Sequence, residues 1–291
     1  MSSSSTPKVR VVTPGMRRWL RLDALLVFVT GVQCFVLAEY TALFFAWTIQ
    51  PPLTAAFLGA AYWAALPLVW LSARAGAWAR ARVAVYGVLV FTTVTTVATL
   101  LHLDRFHLGA GQPPLALLAG WAWMIVYLAV PPSLLFLLLR QRRVPGGDPA
   151  RVAPLPTWAR AVLVAQAVVM LPLGVWMFAA PGASGWWPWA LTPLTSRAVG
   201  AWLLGIGLTT AHAAWEGDWA RLRPAMASYA LLGALQLVNV ARFAGTVEWN
   251  EPGAPLYVLF LVSVLGMGLY GWRAATRAEG RQVFAEMGQR A

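Results

Sequence analysis

Long apolar runs, broken by short polar or proline-bearing segments, organise this chain from end to end. At about 20 residues per membrane crossing, the runs predict helices at 22–46, 53–73, 83–104, 114–139, 159–179, 194–214, 224–244 and 254–274. Prolines stand at or beside several predicted starts (Pro51-Pro52, Pro113-Pro114, Pro193, Pro224, Pro252 and Pro255), where a missing N–H costs little. Pro131-Pro132 and Pro172 fall inside runs and predict kinks.

The pattern is written twice. Pro52, Leu53, Thr54, Gly59, Trp78, Arg80 and Arg82 fall on Pro193, Leu194, Thr195, Gly200, Trp219, Arg221 and Arg223 at one constant offset. Each copy holds four predicted helices, so the second enters the membrane in the same orientation as the first. The fold expected is therefore all-α and integral to the membrane, with eight transmembrane helices in two parallel four-helix repeats. The divisions are a disordered, basic N-terminus over 1–21, repeat one over 22–139 and a linker over 140–158, then repeat two over 159–275 and a tail over 276–291.

Composition narrows the function classes. The chain is 59% hydrophobic and 11% charged, and eight crossings leave no room for a soluble catalytic domain. A net charge of +12 would suggest nucleic acid in a soluble protein. Here only Arg105, Arg197 and Arg242 fall on one side of the predicted topology, and the other Lys and Arg residues fall on the opposite side. That asymmetry places both termini in the cytoplasm, in the inner membrane of a bacterium. The basic residues then meet anionic lipid, and no nucleic-acid partner is expected. Cys34 is the only cysteine, which excludes an intramolecular disulfide, a dithiol redox pair and a cysteine metal cluster. Residues 1–38 have the outline of a signal peptide, but its removal would leave the first repeat short of a helix, so the reading is a retained anchor. Of the 17 tryptophans, Trp19, Trp47, Trp70, Trp78, Trp158, Trp186, Trp187, Trp189, Trp215, Trp219, Trp249 and Trp272 sit at predicted helix ends or in loops. They read as interfacial anchors, with the Trp186–Trp189 cluster dipping into the outer leaflet.

Candidate chemistry is sparse. Thr99, His102 and Arg105 share a face of the third predicted helix, and Gln236, Asn239 and Arg242 share a face of the seventh. A four-residue deletion in the repeat aligns Arg105-Phe106 with Arg242-Phe243. Arginine is costly in lipid, so both arginines, with Arg197 as a third, are expected to face an interior pocket or an anionic partner such as Glu39, Asp104, Glu248 or Glu251. The structural alternative is that this polar set only binds helices together. His102, His107 and Asp104 could hold a metal at the outer rim, but no metal or cofactor is expected. A retinal Schiff base is excluded because Lys8, the only lysine, lies outside every predicted helix. Metalloprotease, P-loop and nucleophile-elbow motifs are missing.

The second copy has a glycine-rich second helix (S-R-A-V-G-A-W-L-L-G-I-G), a short basic turn (R-L-R-P) and a third helix ending L-Q-L-V-N-V-A-R-F-A-G. Over residues 159–275 it resembles small four-helix bacterial membrane proteins of the DoxX-like kind, and 24–139 is a fainter copy. The resemblance implies a four-helix unit and no particular activity. The function expected is non-enzymatic: binding or passing a lipid-like, quinone-like or small polar ligand through a pocket near the outer leaflet. Arg105, Arg242, Arg197, His102, Asn239, Gln236, Thr99 and Glu39 are its candidate ligand-binding residues, and membrane lipids or other membrane subunits its candidate partners. The alternatives are a secondary transporter, an accessory subunit of a larger complex, and an integral enzyme using His102, Asp104 and Glu39.

Overall fold

A computed structural model describes residues 9–183 and 185–288, with side chains described through residue 280. Among the described residues the fold is all-helical with no strands. The helices are α1 Pro14–Gly31, α2 Thr41–Phe44, α3 Pro52–Arg74, α4 Arg82–Leu101, α5 Pro114–Arg142, α6 Thr157–Ala179, α7 Pro193–Glu216, α8 Trp219–Arg242 and α9 Gly253–Gly288. A π-helical stretch, Val32–Val36, prolongs α1, and the α3–α4, α4–α5 and α8–α9 connections each contain a 3₁₀ turn. Among the described residues seven helices are long and apolar enough to cross a membrane: α1 with its extension, α3, α4, α5, α6, α8 and α9. α7 is equally long at 24 residues, but it carries Thr195, Ser196, Arg197, Thr209, Thr210, His212 and Glu216 and is not among the seven.

Local chemistry explains the helix starts. Prolines open α1, α3, α5 and α7, and Thr192 and Thr195 form a reciprocal capping box on α7. Thr13 caps α1 and accepts a hydrogen bond from Met16 N. α1 thus begins eight residues earlier than the first apolar run suggests, and takes Arg17, Arg18 and Arg21 into its first turns. Residues 9–13 ahead of it are tied down: Arg10 N donates to Gly147 O at 2.9 Å, and Gln141 Nε2 donates to Val11 O at 2.8 Å. The expected disorder of 1–8 falls outside the described residues. At the other end, α9 continues through much of the expected tail.

The helices run between two ends. At the basic end, bridges join Val11 to Ala77, Val9 to Gly147 and Pro154 to Asp218, bringing together the termini of α1, α3, α4, α6, α7 and α8. At the far end, His107 N donates to Ala46 O at 2.8 Å and Glu248 N to Pro188 O at 2.9 Å. α3 and α8 form the centre: 78% of the apolar window of α3 is buried, against 28% for α5 and for α9, which face outward with rows of exposed Leu, Ile and Val. The closest packed pairs are α8 with α9, α6 with α7, α3 with α8, α4 with α7 and α1 with α3. Small residues permit this approach. A Cβ on Gly233 of α8 would strike the backbone of Leu265, and one on Gly268 of α9 would strike that of Ala230.

Several tryptophans expected at the membrane surface are instead buried. Trp47, Trp78, Trp187, Trp189 and Trp219 are at most 5% exposed. Trp189 Nε1 donates to Thr54 Oγ1 at 2.9 Å, and its ring packs beside Phe57, so it links α7's approach loop to α3. Trp186 alone in that cluster is exposed. A bulky ring gains by filling an interhelical gap; the indole N–H of Trp189 finds an acceptor there, whereas those of Trp47 and Trp187 are buried without one.

Candidate functional site

The prominent feature of the interior is a cavity of about 520 Å³ bounded by α1, α3, α4, α5, α7 and α8 and partly open to the surface, where the exposed Leu25, Val29, Leu115 and Leu118 line it. Its walls are overwhelmingly apolar: Leu26, Leu68, Phe91, Val126, Trp202 and Leu232 are representative. Aromatic rings line one region, with Phe91 stacked on Trp202 at 3.9 Å and Trp123 beside Tyr127 at 4.2 Å. Most polar groups reaching it are already engaged. The Tyr62 and Tyr127 hydroxyls bond each other at 2.5 Å. Thr30, Thr92, Thr209 and Thr210 each donate back to a carbonyl of their own helix, and Gln33 Nε2 donates to Phe44 O.

Two groups stand apart: Asp23 and the Tyr229 hydroxyl, which is buried without a hydrogen-bond partner. Asp23 lines the cavity, is 8% exposed, and its Oδ2 has no hydrogen-bond partner. Because α1 starts at Pro14, Asp23 lies roughly 14 Å along the helix from its first residue. Sequence reasoning missed it by beginning the helix at residue 22. The available signal was a lone carboxylate at the head of an apolar run.

None of the eight candidate ligand-binding residues lines this cavity. Arg105 is not buried: its side chain is 70% exposed and pairs with Asp104 at 3.0 Å. Nor does it match Arg242, which is the last residue of α8, whereas Arg105 sits in the Leu103–Arg105 turn beyond the end of α4. The constant offset that places Pro52 on Pro193 also places that turn on Ala244–Thr246, so the deletion assumed from sequence is unnecessary. Arg242 instead donates to Phe35 O at 2.6 Å and lies 3.9 Å from Glu39. Arg197 donates to His102 Nε2 at 2.5 Å and to Phe178 O at 3.2 Å. Since a guanidinium has no acceptor, that contact makes His102 a neutral ring with its proton on Nδ1.

The remaining members are interior fasteners. Gln236 Nε2 donates to Phe57 O at 3.0 Å and receives Asn239 Nδ2 on its own oxygen, tying α8 to α3. Thr99 donates to Thr95 O and accepts Trp123 Nε1 at 3.0 Å, tying α4 to α5. His107 is held by Phe45 O and Thr48 Oγ1, whereas His102 is occupied by Arg197.

A second polar centre lies at the basic end. Glu216, the last residue of α7 and beyond its apolar stretch, is fully buried. It accepts hydrogen bonds from Arg82 Nε, from Arg221 Nη1 at 2.9 Å and from His212 Nε2 at 3.2 Å. Asp148 adds a second carboxylate, 2.7 Å from Arg82 and 3.8 Å from Arg221. Burial acts to raise the Glu216 carboxyl's pKa, but the bonds from His212, Arg82 and Arg221 outweigh it and hold it down at about 2. The cluster joins α4, α7, α8 and the α5–α6 connection. That connection is further bound through Asp218 Oδ2, which accepts Val152 N and Ala153 N at 2.7 and 2.8 Å. Among the described residues the carboxylates of Glu216 and Asp148 are paired with Arg82 and Arg221, so the chemistry of the cluster is that of a clasp.

Comparison with protein-family models, curated proteins and solved structures returned no match to this chain.

Proposed function

We propose that this chain is an eight-span membrane protein of two parallel four-helix units, and that its function is to hold a largely apolar, lipid-like or quinone-like ligand in the cavity between α1 and α5. Seven apolar helices support a multi-pass protein, and α7 runs the full distance between the two ends beside them. The basic residues at one end support cytoplasmic termini in a bacterial inner membrane. The packing supports the repeat: exchanging α1, α3, α4 and α5 for α6, α7, α8 and α9 turns the α3–α8 contact into α7–α4, and α1–α3 into α6–α7. A DoxX-like origin of each unit is in keeping with this four-helix arrangement.

The same repeat supplies a reason for the cavity. Under the offset that places Pro114 on Pro255, Gly233 and Gly268, which let α8 and α9 touch, correspond to Thr92 and Tyr127. Both line the cavity. Larger side chains at those positions hold α5 away from α4, where α9 closes on α8. One unit is sealed and the other is open.

The cavity carries this reading. Its volume lies within the ordinary range for small-molecule sites, and its walls suit apolar chains better than headgroups. The test is extraction of the purified protein followed by mass spectrometry of what co-purifies. Wild type should retain an apolar molecule in stoichiometric amount, and Ala119→Trp, which fills the cavity from α5, should release it. If wild type carries nothing beyond bulk lipid and does not differ from Ala119→Trp, the reading fails.

A further inference from the structure

Building on the reading of the cavity as a ligand site, we propose that it selects a lipophilic cation, an ammonium or other onium centre on an apolar body, with the Asp23 carboxylate as counter-ion. The argument starts from what the protein withholds. Asp23 is 8% exposed and its Oδ2 has no partner. Among the described residues no Lys, Arg or His lines the cavity; the titratable groups there are Asp23 on α1, Tyr62 on α3, Tyr127 on α5 and Tyr229 on α8, and α4 and α7 contribute none. The Tyr62 and Tyr127 hydroxyls are occupied with each other, and the Tyr229 hydroxyl is a neutral group that cannot neutralise a carboxylate. A carboxylate set into apolar walls without a cation is costly, and such residues in membrane helices pair with a partner or mark a ligand path.

The walls suit a cation in a second way. Tyr62 meets Trp202 edge to face at 4.9 Å, and Trp123 and Tyr127 lie at 4.2 Å, so ring faces and edges surround the space that Asp23 enters. Ring faces attract a desolvated cation. An anionic ligand would meet the carboxylate as a like charge, and an uncharged lipid would leave it unpaired. The other unit cannot repeat the site. Aligning Trp19-Leu20-Arg21 with Trp158-Ala159-Arg160 places Asp23 on Val162.

The experiment uses the full chain in nanodiscs of phosphatidylcholine alone, with empty nanodiscs as background and radiolabelled tetraphenylphosphonium as probe. Unlabelled dodecylamine and dodecanol compete for it, the first charged and the second not. Dodecylamine should displace the probe at concentrations roughly tenfold to a hundredfold lower than dodecanol, the range for one charge-assisted contact. Asp23→Asn should weaken probe binding by a similar factor, and Ala119→Trp should abolish it. Equal potency of amine and alcohol, or wild-type probe binding in Asp23→Asn, overturns the cation inference; displacement by both ligands would still leave the apolar-cavity reading standing. Absence of saturable probe binding also overturns the inference, and the cavity reading then rests on the co-purification experiment. Should Asp23→Asn not fold, the amine-to-alcohol ratio of the wild type decides alone.

Discussion

Replacing Glu216 by Gln keeps the side-chain shape and removes its charge from a site where it faces Arg82, Arg221 and His212. Two largely buried guanidiniums would then share Asp148, which is 32% exposed and only 3.8 Å from Arg221. Removing one partner of a buried ion pair costs about 3–5 kcal/mol, because the charge left behind is uncompensated. The lowered carboxyl pKa, caused by these same contacts, points to a similar magnitude. A carboxyl held at about 2 rather than 4.5 contributes on the order of 3 kcal/mol of stability. The depressed value fixes the direction: the stabilisation is fully present above pH 4.5 and is lost as pH falls from there towards 2. The assay is thermal unfolding in detergent, followed by the fluorescence of the many buried tryptophans between pH 2 and pH 7. Other carboxylates titrate in the same window, so the informative quantity is the difference between wild type and Glu216→Gln. That difference should be largest at pH 7 and shrink steadily below pH 4.5. A variant within about 1 kcal/mol of wild type at pH 7, well below the cost expected for a buried pair, would refute the view that this cluster clasps the bundle.

Further outcomes follow from other contacts. Gly233→Leu should destabilise the fold by at least about 1–3 kcal/mol through overpacking against the Leu265 backbone of α9; thermal melting of the variant beside wild type measures the effect. Arg105→Leu should change stability by no more than about 1 kcal/mol, since its pair with Asp104 is exposed, whereas Arg197→Leu should cost more by removing donors to both His102 and Phe178 O; denaturation of the two variants side by side checks the order. Cysteines placed at Gln50, Gly109, Gly185 and Pro252 in a Cys34→Ser background should react with an impermeant thiol reagent applied outside the cell. Labelling of the α5–α6 connection from outside would overturn the topology.

Sequence alone determined what depends on local and one-dimensional physics. A run of apolar residues long enough to cross a bilayer must satisfy its backbone within itself, so helices at these places follow from hydropathy and proline position. The constant offset from Pro52 to Pro193 likewise needs no coordinates. Tertiary structure decided everything that depends on which faces meet. Glu216 and Asp148 have no distinctive sequence context, yet folding brings them onto the same two arginines from different segments. Trp189 looks like a surface anchor until α3 supplies Thr54 as its acceptor. Thr99, Gln236 and Asn239 look like a pocket in projection, but Thr99 and Gln236 are spent on neighbouring helices and Asn239 donates to Gln236 of its own helix. Asp23, which the sequence reading passed over, shows the difference most. Its place in the wall of an apolar cavity depends on Thr13 and Pro14 starting α1 early and on which helices pack around it, and neither is written in the order of the residues.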